Sequence, residues 1–384
     1  MKILFVYSEL VVEIVGNKYH HNFLNDILDR YSKYGELTVC TSAIEVESSN
    51  HREILNTTDF SFRFITKENT LKTRFLDRNR NKKILEQAVK GSDYVFIHVP
   101  CSVQNIVASF AKKFNKPYMP LVVGCPWDAL WHHSFKGRLV APLYYLSLKR
   151  FMSKTSTAMY VTRSFLQKRY PCRGLSIGCS DVALPVNNQS VLTNRLYKIS
   201  NNNTSHLSLA SVGALIKAKG HSDVIKALYL LKKDGYSFYY HIIGGGDKTF
   251  LENLAIKLDV ADQVIFHGVL PHNKIFELLT DIDIYIQPSK TEGLCRALAE
   301  AMSMACPAIA TNVGGNPELV NSKWLYQSGN SKMLATKIKG LSEKGNLLAA
   351  ANENYTTAQS YQADLLNKRR NEFISSFIEE NTLK

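Results

Sequence analysis

No uninterrupted apolar run in this 384-residue chain is long enough to cross a bilayer, so no spanning helix is expected. The seven cysteines, at 40, 101, 125, 172, 179, 295 and 306, form no CxxC pair and no zinc-ligand spacing. That pattern excludes a disulfide framework and reads as reduced, mostly packed thiols in a cytoplasmic protein; no cofactor is expected. No small-residue cleavage site follows the opening Met-Lys-Ile-Leu-Phe-Val-Tyr, and Glu9 and Glu13 break its apolar run. It therefore reads as a first buried strand rather than a signal peptide. Acidic residues are missing altogether between Asp128 and Asp181. That window holds Lys136, Arg138, Lys149, Arg150, Lys154, Arg163, Lys168, Arg169 and Arg173, interleaved with Phe135, Tyr144, Tyr145, Phe151 and Tyr160. A second basic run, 67–83, contains Arg74, Arg78, Arg80 and Lys82. With a net charge of +14, these stretches read either as solvated helix faces or as contacts for anionic lipid or a pyrophosphate-bearing acceptor. Nucleic acid is not an expected partner, because no recognised nucleic-acid module occurs.

Hydrophobic residues make up 45% of the chain, ample for buried cores. Its length points to two domains with a shared cleft. In the first half, strands are expected at 3–7, 37–41, 93–98, 118–123 and 157–161. Helices are expected at 20–30, up to about 89, and at 103–114, 142–152 and 163–169. After an Asn- and Ser-rich gap the alternation restarts, with strands at 206–213, 238–243, 263–267, 282–287 and 308–310. Strands alternating with helices imply parallel, doubly wound sheets. The expected division is a first Rossmann-like domain over 1–185, a linker over 186–205, a second such domain over 206–355, and a helical tail over 356–384 that returns toward the first. Ligands then belong at the carboxyl ends of the strands, in the cleft.

The stretch Pro288-Ser-Lys-Thr-Glu-Gly-Leu-Cys-Arg-Ala-Leu-Ala-Glu300 is the most informative of the strand-following loops. It places Glu292 in a loop and Glu300 inside a helix, with Gly293, Leu294 and Cys295 leading into the helix start. A strand-loop-helix turn aims free N–H groups and a positive helix end at one point, which suits a diphosphate, while two flanking carboxylates accept hydrogen bonds from sugar hydroxyls. Lys219, ahead of Gly220 and a helix, reads as a phosphate ligand when coupled to that turn and as an ordinary exposed lysine when taken alone. Gly244–Gly246 and Gly314-Gly315-Asn316-Pro317-Glu318 read mainly as turns. Val269 follows a strand end where backbone meets a base ring or simply turns. In the first half, His98 ends a strand and faces the cleft, either bonding a sugar hydroxyl or serving the core. Gly16 sits in a loop expected between Tyr7 and Tyr19. Trp127, Asp128 and Trp131, with His132 and His133, read as a loop that is either a carbohydrate platform or aromatic packing. Asp281 and Asp283 enter a strand away from the cleft, and no His/Cys cluster has zinc spacing.

From Ser211 to Val320 the chain resembles the carboxyl-terminal half of the family-4 retaining glycosyltransferases of GT-B fold. The resemblance rests on Val212-Gly213, Lys219-Gly220-His221, Gly244-x-Gly246, Gln287-Pro-Ser289, Glu292-x7-Glu300 with Ala301-Met302, and Val313-Gly-Gly-x-Pro-Glu318. Asp93 to Pro100, Tyr160-Val-Thr and Arg169-Tyr-Pro171 are similar to the first domain more loosely. The resemblance implies that Lys219 neutralises the donor diphosphate, Glu292 contacts the transferred sugar, and the N–H groups of Leu294 and Cys295 bind sugar or phosphate. It further implies that Glu300 holds the ribose and His98 lies near donor sugar and acceptor hydroxyl, without metal and with anomeric retention. Ala214 stands where many members have arginine, with Lys217 as its candidate substitute. The expected protein is a membrane-peripheral glycosyltransferase of surface-polysaccharide assembly, at the inner face of the plasma membrane. It would take a UDP-sugar and a sugar or lipid-linked acceptor. A sugar-nucleotide epimerase on the same fold and a catalytically silent nucleotide-sugar-binding subunit are the alternatives.

Overall fold

Continuous apolar runs such as Tyr94–Val99 and Thr157–Tyr160 are buried along their whole length, as strands covered by helices on both faces must be. The computed structural model describes residues 1–21, 24–49, 54–66, 77–186, 188–201 and 206–382. Within these, the first sheet comprises β1 (Lys2–Val15), β2 (Lys18–His20), β3 (Glu36–Glu45), β4 (Phe60–Phe64), β5 (Tyr94–Val99), β6 (Tyr118–Val122), β7 (Thr157–Tyr160) and β8 (Leu175–Gly178). Its order is β4-β3-β1-β5-β6-β7-β8, all parallel, with β2 folded back antiparallel on β1. The second sheet comprises β9 (Ser208–Val212), β10 (Tyr239–Ile243), β11 (Val264–Gly268), β12 (Ile284–Gln287), β13 (Ala308–Thr311) and β14 (Leu325–Tyr326). Its order is β11-β10-β9-β12-β13-β14, again parallel.

Each sheet winds outward in one direction and then reverses, so each has a switch point where adjacent loops leave in opposite directions and open a crevice. In the first sheet that point lies between β1 and β5, and in the second between β9 and β12. These pairs carry, respectively, His98 near the end of β5 and the loops bearing Lys219 and Glu292.

Four expectations need correction. The first strand does not end at Tyr7: a register shift between Tyr7 and Val11 absorbs the irregularity, and pairing with β3 continues to Ile14. The loop expected around Gly16 is thus the tight turn of a hairpin, and the following helix begins at Leu24 rather than at 20. The supposed linker contains the helix Ser190–Asn201, although residues 187 and 202–205 lie outside the described residues. Its Leu192, Arg195 and Ile199 are buried, and Arg195 caps the carbonyls of Leu279 (2.6 Å), Ile282 and Met304 (3.3 Å). Of the second basic run, 67–76 with Arg74 lies outside the described residues, while Arg78, Arg80 and Lys82 are exposed on the helix Arg78–Lys90.

The helix Lys344–Gln359 packs on the second unit, and the helix Ala363–Thr382 crosses back to the first. There the Tyr94 hydroxyl donates to the Ile378 carbonyl (3.0 Å), Phe377 meets the edges of Tyr94 and Phe96, and Arg370 donates to the Ser180 carbonyl (2.8 Å).

Candidate active site

The two loops at the second switch point are tied together by their backbones. The turn Lys217–Lys219 ends at Gly220 with φ +71°, where a Cβ would lie 2.0 Å from the Pro288 carbonyl oxygen, so only glycine fits. Lys290 N–H donates to the Ala218 carbonyl at 2.8 Å. This contact brings Lys219 Nζ to 2.6 Å from Glu292 Oε1. Gln287 Nε2 donates to the same oxygen at 3.3 Å and to Ser289 Oγ at 2.8 Å, while the Tyr285 hydroxyl donates to Gln287 Oε1 at 2.8 Å. The carboxylate is therefore oriented from below by a buried chain of hydrogen bonds. Burial disfavours the Lys219 ammonium, but the Glu292 charge, Cys295 and the hydrogen bond outweigh it and hold the pKa above the usual lysine range.

Gly293, Leu294 and Cys295 follow, and the helix Arg296–Ser303 starts directly after them. Glu300 lies inside that helix, its side chain mostly buried, with Oε1 3.1 Å from His272 Nε2. The glycine run after β10 supports the neighbouring loop: a Cβ on Gly244 would lie 2.0 Å from the Gly213 carbonyl, and Leu215 N–H donates to the Gly245 carbonyl at 2.8 Å. Val269 is exposed and lies against Gly245, and Lys217 is exposed beside the Lys219 turn. Asp283 is consumed structurally, accepting from Ser208 N–H (2.9 Å) and pairing with Lys198 (3.0 Å). Among the described residues no three His, Cys, Asp or Glu side chains converge into a metal-ligand group.

At the first switch point the His98 ring stacks on Tyr7 across the β1–β5 pair, centroids 3.6 Å apart. Burial lowers the His98 pKa to about 4 and raises that of Tyr7 to about 12, so both are neutral near pH 7. His221, buried with Nδ1 2.9 Å from the Tyr240 hydroxyl, is likewise lowered to about 4 by burial. Both histidines charge more readily unfolded than folded. Between about pH 6.5 and about pH 4 the unfolded chain binds the extra protons, so stability falls as pH falls. A His221→Asn variant is expected to show a shallower acid loss of melting temperature than the parent, read by thermal melts from pH 7 to pH 4.

Trp127, Asp128 and Trp131 lie on a helix, Pro126–His133, not in a loop. The Cys125 sulfur accepts from the Asp128 N–H at its start, and Pro126 opens it, a residue favoured at the first helical position. One turn apart, the two indoles stack in parallel at 5.2 Å; Trp127 also meets the edge of Tyr145, and Asp128 pairs with Arg169 at 3.1 Å. Within the basic window Phe151 and Tyr160 are buried, so those rings belong to the core.

The two sheets meet at the carboxyl ends of their strands. A Cβ on Gly293 would lie 2.2 Å from the Val123 carbonyl at the end of β6. Glu318 accepts from the backbone N–H groups of Arg163 (2.5 Å), Ser164 (3.0 Å) and Phe165 (2.9 Å), just past β7. Lys290 also reaches toward the first unit. Burial, with help from Lys290 and Arg138 against the opposing Asp128, holds His132 below its usual range. His272, Lys290 and the cross-cleft role of Glu318 were not legible in the sequence. His272 and Glu300 are 28 positions apart, with no local pattern joining them.

Two doubly wound parallel sheets meeting at their carboxyl ends define the GT-B class of fold. Two solved structures share it: sucrose-phosphate synthase from Thermosynechococcus elongatus (TM-score 0.72, 13% identity, 99% of both chains) and Anabaena Alr3699/HepE in complex with UDP (TM-score 0.68, 18% identity, 98% of this chain and 100% of that one). The chain belongs to the glycosyl transferases of group 1, whose family profile matches residues 194–357. Protein CapJ of Staphylococcus aureus is 33% identical over 337 residues, 85% of this chain and 83% of CapJ. The amylovoran biosynthesis glycosyltransferase AmsK of Erwinia amylovora is 35% identical over 147 residues, 36% of each chain.

Proposed function

We propose that the chain transfers a sugar from a UDP-sugar, with retention at the anomeric carbon, onto a sugar or lipid-linked sugar acceptor in surface-polysaccharide assembly. The observation carrying this reading is the contact of Lys219 with Glu292 at the second switch point, beside a helix start and Glu300. On donor binding, Lys219 turns from Glu292 to the diphosphate, which the N–H groups of Leu294 and Cys295 also meet. Glu292 takes hydroxyls of the transferred sugar and Glu300 those of the ribose. The bond from the anomeric carbon to the phosphate oxygen breaks. An acceptor hydroxyl bonds to that carbon from the same face, and its proton passes to the departing phosphate oxygen. Lys219 and the helix start offset the developing charge, so the reading assigns no metal. His98, neutral and close to the cleft, orients the acceptor hydroxyl.

HepE was solved with UDP and with UDP-glucose, which supports the nucleotide, and the name of AmsK supports the pathway. Peripheral membrane contact at the cytoplasmic face draws support from the helix Phe135–Met152. It exposes Phe135 (74%), Leu139 (66%), Leu143 (67%) and Leu146 (59%) along one face, beside Lys136, Arg138, Lys149 and Arg150. Among the described residues no helix is long and apolar enough to cross a membrane.

A thermal-shift screen of nucleotide sugars tests the donor: a UDP-sugar at 100 times its Kd adds about 2.7 kcal/mol and raises the melting temperature. No shift with any nucleotide sugar defeats the reading. Conversion of donor without acceptor points to an epimerase, and binding without transfer to a silent subunit.

A further inference from the structure

A cavity of about 650 Å³ lies in the first unit, outside the donor machinery. One wall is Pro100, Cys101 and Ser102, the residues directly after β5 and hence next to His98. A second is the helix Pro126–His133, through Pro126, Ala129 and Leu130. The third is the helix Phe135–Met152, through Leu143, Tyr144 and Leu148. Leu143 and Tyr144 also belong to the exposed part of that helix, so the cavity runs from the strand ends beside His98 to the apolar, base-flanked surface.

We propose that this cavity holds the first part of an uncharged hydrophobic chain, alkyl or isoprenoid, carried by the acceptor. The proposal rests on the glycosyltransferase reading above and names the acceptor class and the place it binds. The lining chemistry selects the occupant. Its polar groups are engaged with one another or with nearby backbone: Gln104 Oε1 accepts from Cys101 N–H (3.0 Å), Glu9 Oε1 from Ser102 N–H (3.0 Å), and Asn105 Nδ2 donates to Ser147 Oγ (3.1 Å). What remains toward a guest is the apolar surface of Pro100, Pro126, Leu130, Leu143 and Leu148, whose burial drives binding. Among the described residues lining the cavity none is Lys or Arg, and Glu9 opposes an anion, so a phosphate is not the guest. The bases Lys136, Arg138, Lys149 and Arg150 stand on the helix outside it, where an anionic lipid surface would meet them. The cavity thus brings a chain from the membrane face to within two residues of His98.

The test uses the full chain and two uncharged probes, n-decyl and methyl β-D-glucopyranoside, below the micellar concentration of the former, by titration calorimetry. Decyl glucoside is expected to bind about tenfold or more tightly than methyl glucoside. Leu130→Trp and Ala129→Trp, which fill the cavity from its partly exposed rim, are expected to erase that difference while UDP binding stays unchanged. A Phe135→Ser/Leu139→Ser variant is expected to keep the difference while losing binding to vesicles containing anionic lipid. A decyl preference that survives both tryptophan variants, or that vanishes with Phe135 and Leu139, overturns the proposal, because the chain then binds elsewhere. Equal binding of the two glucosides also overturns it and makes the cavity a sugar subsite. Absence of UDP binding in the parent chain strikes the glycosyltransferase reading instead and leaves the chain-length comparison intact.

Discussion

Lys219→Ala is expected to lower sugar transfer by about 10²–10³-fold, the usual loss when one preorganised stabiliser of transition-state charge is removed. Lys219 is the positive side chain seen in direct contact with the Glu292 carboxylate at the second switch point. The variant also strands Glu292, whose side chain is 11% exposed, with Gln287 as its remaining donor. Breaking a buried pair costs several kcal/mol, but Lys219 is 29% exposed, and solvent screening reduces the expected stability loss to about 1–2 kcal/mol. Glu292→Gln keeps the shape of the site, removes the charge, and is expected to lose transfer to a similar degree. The double variant separates two roles for the pair. If the contact serves only stability, removing both charges restores a well-folded and active protein. If both groups act on donor and transferred sugar, the double variant refolds to near-parental stability and stays inactive. Steady-state transfer rates with thermal melts of all four proteins decide between these outcomes, and full activity in both single variants sinks the proposed function.

Glu318→Gln is expected to lower transfer by about tenfold or more while leaving binding of the donor nucleotide unchanged. The Glu318 carboxylate holds three consecutive backbone N–H groups of the other unit, together with the Ser164 hydroxyl at 3.3 Å. Hydrogen bonds to a charged acceptor are the stronger kind, about 1.5–3 kcal/mol each before screening. The donor groups Lys219, Glu292 and Glu300 all belong to the second unit, whereas His98 belongs to the first. Loosening Glu318 therefore changes the distance between them, and a 1 Å misplacement can cost about 10²-fold in rate. Amide exchange at residues 163–165 should quicken in the variant, with unchanged affinity for UDP. Loss of UDP affinity together with a lower melting temperature would show instead that Glu318 merely supports its own unit.

Much of this was legible before any coordinates. Alternating apolar runs located the strands because a parallel sheet covered on both faces needs them, and Glu292-x7-Glu300 marked the loop and helix that lie at the second switch point. Local misreadings had local causes. Glu9 and Glu13 disguised the length of β1: Glu9 falls within the register shift between Tyr7 and Val11, while Glu13 pairs regularly with Ile44 and accepts from the Ser49 hydroxyl at 2.6 Å. Asparagines around 187–205 hid the spacing of Leu192, Arg195 and Ile199 on one helix face. At Trp127 a helix-start signal, Pro126, was present but outweighed by the aromatic cluster. Contacts such as Glu318 with Ser164, 154 positions apart, carry no sequence signal because only the packing of one unit against the other brings them together.

The helix Ala363–Thr382 has a consequence for how the molecule comes into being. Phe377 and Arg370 complete a sheet whose strands are all made before residue 180. During synthesis at the ribosome, the earlier-made unit must wait, with Tyr94 and Phe96 uncovered, until the later-made unit has emerged. Nascent-chain assembly here is interleaved rather than sequential, and chaperone dependence should be greatest during that interval.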